Sequence, residues 1–564
     1  MITRKTTDIS APVPEAVNRT KRDNVVTDMS TPIPEAVNRA KVNNAGIEMS
    51  APIPEPVDRS GRKEINVDTD MSMPLTKGAA LHKITKADWS GLNYRQVHDT
   101  GALSYEYNIS TSEAPYLTPS QKRVEYRNLF GCEPICMYGF DDFLLEVHIS
   151  FTNTVYIYYI NAENIVYGGQ LDYNADPSKL NTTMRSIVKF NVYDTPTDPV
   201  SGNYVRKLLI FPDKKSINFK INAHFIPENM SAGISQVPNI KHAAVHLSRL
   251  FGVDDDRIYA SSFNDYANWS LDTIDDHNAS NAWVSPAQSN TKADGNFTAI
   301  TMFANHVICF KKDYMHELYN NKNPFRIQDI FAEGTIDHRS IQDVNGRLIF
   351  VSSNGVKAYT GGNPRDIGYN LGVNKFTKAV AGTDGRKYYL YCSTEKKEHN
   401  LFIYDSAVDQ WAEESIDFEV RGFAKTTTGM YMLAFIYVNE LNPNSRIYKL
   451  DTGDYSHNWA FETDFYMGQS IDITHIQKIQ FYAELANGSK LQAYLLYDDE
   501  VFNASTSHKI YDHTNTTGAT KKVTVRVVPR QTANYGFKLR VNGYGFARLY
   551  HLEAFIRQGG ELFV

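Results

Sequence analysis

The sequence predicts an all-β protein: a β-propeller of about seven blades, a β-sandwich after it, and an extended proline-rich arm before it. Three observations lead there. In residues 299–453 an apolar-aromatic run follows each of four turn pairs, Asn305-His306, Asn345-Gly346, Asp384-Gly385 and Thr428-Gly429, and a second such run closes near Tyr319, Tyr359, Tyr404 and Tyr448. Successive turn pairs lie 40, 39 and 44 residues apart, a period that suits a four-stranded blade burying its faces against its neighbours. Residues 459–564 instead alternate in period two, as in Lys478–Glu484 and Lys522–Val528, with hairpin signals at Asn487-Gly488 and Asn542-Gly543; that pattern fits one antiparallel sandwich. The first 76 residues are an internal repeat with no pattern able to make a core.

Composition narrows the class. The 564 residues include 35 tyrosines and 12% aromatic residues, which favours strands and contact surfaces. A formal net charge of -6 argues against a protein that coats nucleic acid. Four scattered cysteines, Cys132, Cys136, Cys309 and Cys392, suit buried thiols in a reducing compartment better than a disulfide framework. The start, MITRKTTDIS, lacks the apolar centre of a signal peptide, and no run of 18 apolar residues occurs; membrane insertion is not expected.

In the arm, Asp8–Arg19 returns as Asp28–Arg39 and Glu48–Arg59, and a shortened copy starts at Asp70. The offsets are 20, 20 and 22 residues. The copies keep an apolar residue (Ile9, Met29, Met49, Met71), prolines (Pro12 and Pro14, Pro32 and Pro34, Pro52 and Pro54, Pro74), and Val17 with Arg19, Val37 with Arg39, and Val57 with Arg59. Paired prolines hold the backbone near polyproline II, and one Val or Ile between them makes no core. Ten basic and 11 acidic residues in 1–76 make this no basic arm. A plain linker needs no repeated sequence, so these positions are the expected partner-binding residues. Each copy, spanning up to roughly 60 Å when extended, would dock on equivalent subunits of a symmetric assembly.

Residues 77–454 read as the propeller and 455–564 as the sandwich. A short amphipathic piece is expected at Gly78–Thr85, and strands at Ile135–Phe140, Phe143–Phe151, Val155–Ile160, Arg185–Val192 and Tyr204–Phe211. Within this part, Gly91-Leu-Asn-Tyr-Arg95, then Glu113-Ala-Pro-Tyr-Leu-Thr-Pro119, then Leu247–Trp269 with its Arg257-Ile-Tyr strand and Asp265-Tyr-Ala-Asn-Trp269 ending, resemble the stabilisation and propeller-bearing nozzle proteins of short-tailed bacteriophage tails. The likeness covers roughly residues 90–560; the repeat arm lies outside the family pattern. The resemblance implies a virion structural protein made in the bacterial cytoplasm. It further implies a ring of subunits, commonly six, around an axial path for phage DNA, with a portal, adaptor or other tail protein as neighbour. The repeats would then lash the ring to that neighbour.

Catalytic and metal patterns were weighed against plain structural readings. Asp254-Asp255-Asp256 lacks the spacing of a calcium loop and reads as a turn; Asp275-Asp276-His277 reads as a loop. His306 and His316 have no metal-ligand spacing, Cys132 and Cys136 read as separate thiols, Gly361–Pro364 as a turn, and Asp498-Asp499-Glu500 as an acidic loop tip rather than a glycosidase pair. The expectation is a non-enzyme without cofactor. The alternative is a receptor-binding tail protein holding host glycans on the sandwich, with Trp459 and Tyr497 stacking on sugars.

Overall fold

The computed structural model describes most of residues 81–558; residues 1–80 and 559–564 lie outside it, as do several connections, the longest being 171–185, 193–204, 271–280 and 286–294. The repeat arm and Asp275-Asp276-His277 therefore fall outside the described residues.

The described chain is all-β and its sheets are antiparallel. Six four-stranded sheets follow one another in sequence order. They start at Cys132–Phe140, Ser186–Val192, His242–His246, Phe297–Phe303, Gln342–Val344 and Phe376–Thr383, each pairing only with the strand that follows it in its own sheet. A seventh begins with Glu419–Thr426, Gly429–Asn439 and Asn442–Lys449, and its fourth strand is Val124–Phe130, from before the first sheet.

The forty-residue rhythm has a local cause. Asn345 and Gly346 take φ of 53° and 73° between Gln342–Val344 and Arg347–Ser352, the left-handed pair that a two-residue hairpin requires. In the fourth sheet the loop is Ala304-Asn305, with φ of 48° and 66°, one residue earlier than expected, and His306 already opens the next strand. Tyr319, Tyr359, Tyr404 and Tyr448 all fall at or near the end of a third strand.

Apolar runs rather than alternation mark these strands because both faces are covered. In Arg347–Ser352, Leu348 and Phe350 join Phe303, Ile308 and Phe310 of the fourth sheet, while Ile349 and Val351 join Ala379, Leu390 and Phe402 of the sixth. Likewise Tyr389 and Tyr391 pack on Phe423 and Met432 of the seventh. Tyr431, Leu433 and Ile447 of the seventh pack on Met137, Leu144 and Ile160 of the first. Each such fully buried side chain contributes on the order of 1.5–3 kcal/mol. Close approach is built in: a Cβ on Gly382 would sit 2.2 Å from Phe423 Cβ, and one on Gly139 2.2 Å from the Lys425 carbonyl.

The C-terminal residues form two further sheets over one core that includes Phe461, Phe481, Leu491, Leu539 and Ile556. One sheet orders Leu81–Lys86, Ala547–Gln558, Thr474–Leu485 and Lys521–Val527; the other orders Leu103–Tyr107, Asn458–Thr463, Gly536–Tyr544, Lys490–Tyr497 and His508–Thr514, with Tyr466–Met467 beside Gly536–Tyr544. Both thus take their first strand from residues 81–107, which sequence reading grouped with 77–454. The piece expected to be amphipathic is the strand Leu81–Lys86. Asn487-Gly488 does turn between strands, but Asn542-Gly543 lies inside Gly536–Tyr544. Gly543 is there because a Cβ would enter the Trp459 ring at 2.0 Å, so a close contact, not a turn, selects glycine.

Candidate functional site

The first strands of the successive sheets converge on one cavity. Its volume is about 570 Å³, and its wall draws on Met137 and Gly139 of the first sheet, Ala243 of the third, Ile300 of the fourth, Gln342 of the fifth, Ala381 of the sixth and Arg421 of the seventh. Arg421 is the unpaired residue where the register shifts between Val420 and Gly422, an irregularity that re-aims a side chain and here leaves Arg421 beside Glu419. The Arg421 guanidinium lies 3.2 Å from Glu419 and 3.4 Å from Glu133 and 4.9 Å from the Phe435 ring centroid. Lys378 also pairs with Glu419. Burial, then the Arg421 and Arg339 charges, bring Lys378 down to about 8. Asp337 takes a forked contact from Arg339 at 3.0 and 2.7 Å.

Three cations thus meet three carboxylates, and this pairing rigidifies the wall; Lys425, whose ammonium donates to the Asp384 carbonyl, also lines the cavity. Sequence reading missed these residues; the signal available was a charge embedded in an otherwise apolar first strand, as in Glu419-Val-Arg421-Gly422-Phe423.

The residues weighed from sequence have ordinary structural contacts. Asp254 Oδ1 accepts the amides of Asp256 and Arg257 at 2.9 and 2.7 Å, and its Oδ2 accepts the Tyr259 hydroxyl at 2.8 Å; Asp255 pairs with Lys241. This carboxylate closes a hairpin turn. His306 Nδ1 lies 3.3 Å from Glu317, and His316 is buried on the same hairpin. Gly361–Pro364 joins Gly355–Tyr359 to Arg365–Asp366. Asp498 Oδ1 accepts the amides of Tyr535 and Gly536 at 2.8 and 3.1 Å. All four cysteines carry thiols rather than disulfides, and burial pushes the Cys136, Cys309 and Cys392 thiols up. Among the described residues no group of His, Cys, Asp and Glu is arranged to hold a metal ion, and no helix is long and apolar enough to cross a membrane.

The aromatic pair expected to stack on sugars needs correcting. Trp459 is 1% exposed; its indole donates to the Gly545 carbonyl at 2.7 Å and the ring packs in the core. Tyr497 is partly buried against the same core. Trp459 begins an inward-facing series with Phe461, so its side chain is committed to packing.

No family model matches the chain, and no curated protein matches it. A solved structure, the extracellular domain of a hybrid two-component system from B. thetaiotaomicron, is similar over 69% of this chain at 10% identity and a TM-score of 0.33. The chain spans 47% of that structure. A likeness so distant bears on neither fold nor function.

Proposed function

We propose that the seven successive sheets form a closed β-propeller, that the two C-terminal sheets form a β-sandwich, and that the protein is a structural ring component of a bacteriophage tail. A strand shared between the two ends of the series supports the reading. Val124–Phe130 completes the sheet begun by Glu419–Thr426, and the seventh sheet packs on the first. A disc fastened this way is stiff, because opening it breaks a full strand pairing. The resemblance to tail stabilisation and nozzle proteins supplies the setting, in which copies surround an axial path for DNA.

The neighbour on the disc is a second copy of this chain. The fastening strand is an outer strand and carries Phe130 at 73% and Val124 at 45% exposure, with Tyr437 at 64% one position beyond the rung that links Ile436, Asn444 and Phe130. Phe130 and Tyr437 thus stand together at one sheet end, with Val124 at the other end of the same outer strand, and exposed apolar side chains so placed suit a packed contact. The N-terminal repeats, with Pro12, Pro14 and their counterparts, would tie the ring to a portal, adaptor or other tail protein. Electron microscopy and native mass spectrometry of the purified full chain test this. A closed ring that Phe130→Glu reduces to monomers is expected; a chain that stays monomeric at high concentration overturns the reading.

A further inference from the structure

We propose a saccharide-binding groove on the outer face of the sheet that contains Asn458–Thr463. The groove has a volume of about 370 Å³ and follows directly from strand register. Residues opposite one another in antiparallel strands share a face, so three rungs are presented outward. Tyr105, Glu462, Arg540 and Tyr494 make the first; Tyr107, Ala460, Asn542 and Gln492 the second; Asn458, Tyr544 and Lys490 the third. The intervening residues Phe461, Val541 and Ala493 face the core.

Ala460 is the reason for the depression: a methyl group stands between Tyr107 and Asn542 where a longer side chain would fill the space. Tyr107 and Tyr544, 36% and 42% exposed, rise on either side. Arg540 is fixed at one end, 4.2 Å over the Tyr105 ring, 3.0 Å from Glu462 and 2.7 Å from Asn542 Oδ1. Across the floor, Gln492 donates to Asp512 at 2.7 Å.

Side-chain chemistry selects the occupant. The Arg540 charge is met by Glu462, and Asp512 is shared by Lys509 at 3.1 Å and Lys490 at 3.9 Å, so each charge bordering the groove already has an opposite charge within 4 Å. What remains is a pair of phenol faces over amide side chains that both donate and accept. A neutral hexopyranose unit of a polysaccharide has the matching surface, with an apolar C–H face for the phenols and a rim of hydroxyls for the amides. The strands hold these groups in place before binding, which lowers the ordering cost. The groove stands independently of the ring reading.

The test is saturation-transfer NMR of the full chain with free glucose, galactose, mannose and N-acetylglucosamine, and affinity electrophoresis in dextran and in dextran sulfate. Transfer to at least one sugar is expected, with at least a tenfold loss in both Tyr107→Ala and Tyr544→Ala while each variant melts as the wild type does. Tyr107 and Tyr544 are exposed enough that these substitutions leave the core intact; Gln492→Ala gives a second, floor-directed loss. No transfer from any of the four sugars, transfer unchanged in all three variants, or retardation by dextran sulfate but not dextran would each overturn the proposal.

Discussion

Replacing Glu414 by glutamine should stabilise the protein at alkaline pH and leave it unchanged in acid. Glu414 ends the strand Gln410–Glu414 and is 5% exposed. Burial, opposed by Arg123 and reinforced by Asp451, raises its carboxyl from 4.5 to about 7. The folded state thus binds a proton more tightly than the unfolded chain does. Stability from this group is full below pH 4.5 and declines as pH rises through 7. That rise corresponds to roughly 3 kcal/mol. Glutamine keeps the shape and removes the ionisation, so urea unfolding of the two proteins should coincide at pH 4 and differ by about 3 kcal/mol at pH 8.5. Comparing the proteins at each pH cancels every other titration. A difference of the same size at both pH values would refute the reasoning, because it would then come from packing and not from charge. The residue reports on the fastening strand as well: Arg123, beside it, directly precedes that strand and donates to the Ser415 carbonyl.

Other outcomes follow from the same physics. Gly543→Val should lower stability by at least about 1–3 kcal/mol through overpacking against Trp459, read as a lower melting temperature; unchanged melting would mean that the Trp459 ring has room to move. Phe130→Glu with Tyr437→Glu should abolish self-association in size-exclusion chromatography without altering circular dichroism, because both side chains are exposed. Removal of residues 1–76 should preserve melting of the remaining chain and sharply reduce its incorporation into particles, measured by quantitative mass spectrometry of purified virions; unchanged incorporation would refute docking through the repeats.

Local chemistry was legible and distant pairing was not. Asn345-Gly346 announces its hairpin because a left-handed pair leaves few residue choices, and Leu348–Val351 announces a strand covered on both sides. Val124-Glu-Tyr-Arg-Asn-Leu-Phe130 gives no such notice: it is an outer strand, half polar, and its partner Asn442–Lys449 is more than three hundred positions away. The same holds for Leu81–Lys86, which pairs with Ala547–Gln558. Asn542-Gly543 misled because glycine has two uses, freedom of φ and absence of a Cβ, and a dipeptide does not tell them apart. The groove was hidden for a related reason: Tyr107, Ala460, Asn542 and Gln492 become neighbours only through register. Trp459 looked like a displayed aromatic until its place in the alternation beside Phe461 put it inside.

The fastening strand also dictates a schedule for biosynthesis. Val124 is made 325 positions before its partner Lys449, an interval of roughly 16–65 s at about 5–20 residues per second. Throughout that time the early segment has an unmatched edge. Completion is a post-translational or very late event, which places the hazard of wrong edge-to-edge pairing during synthesis and not in the folded chain. Slow, dilute production or a chaperone that shields the open edge until its partner strand is made would lower that hazard.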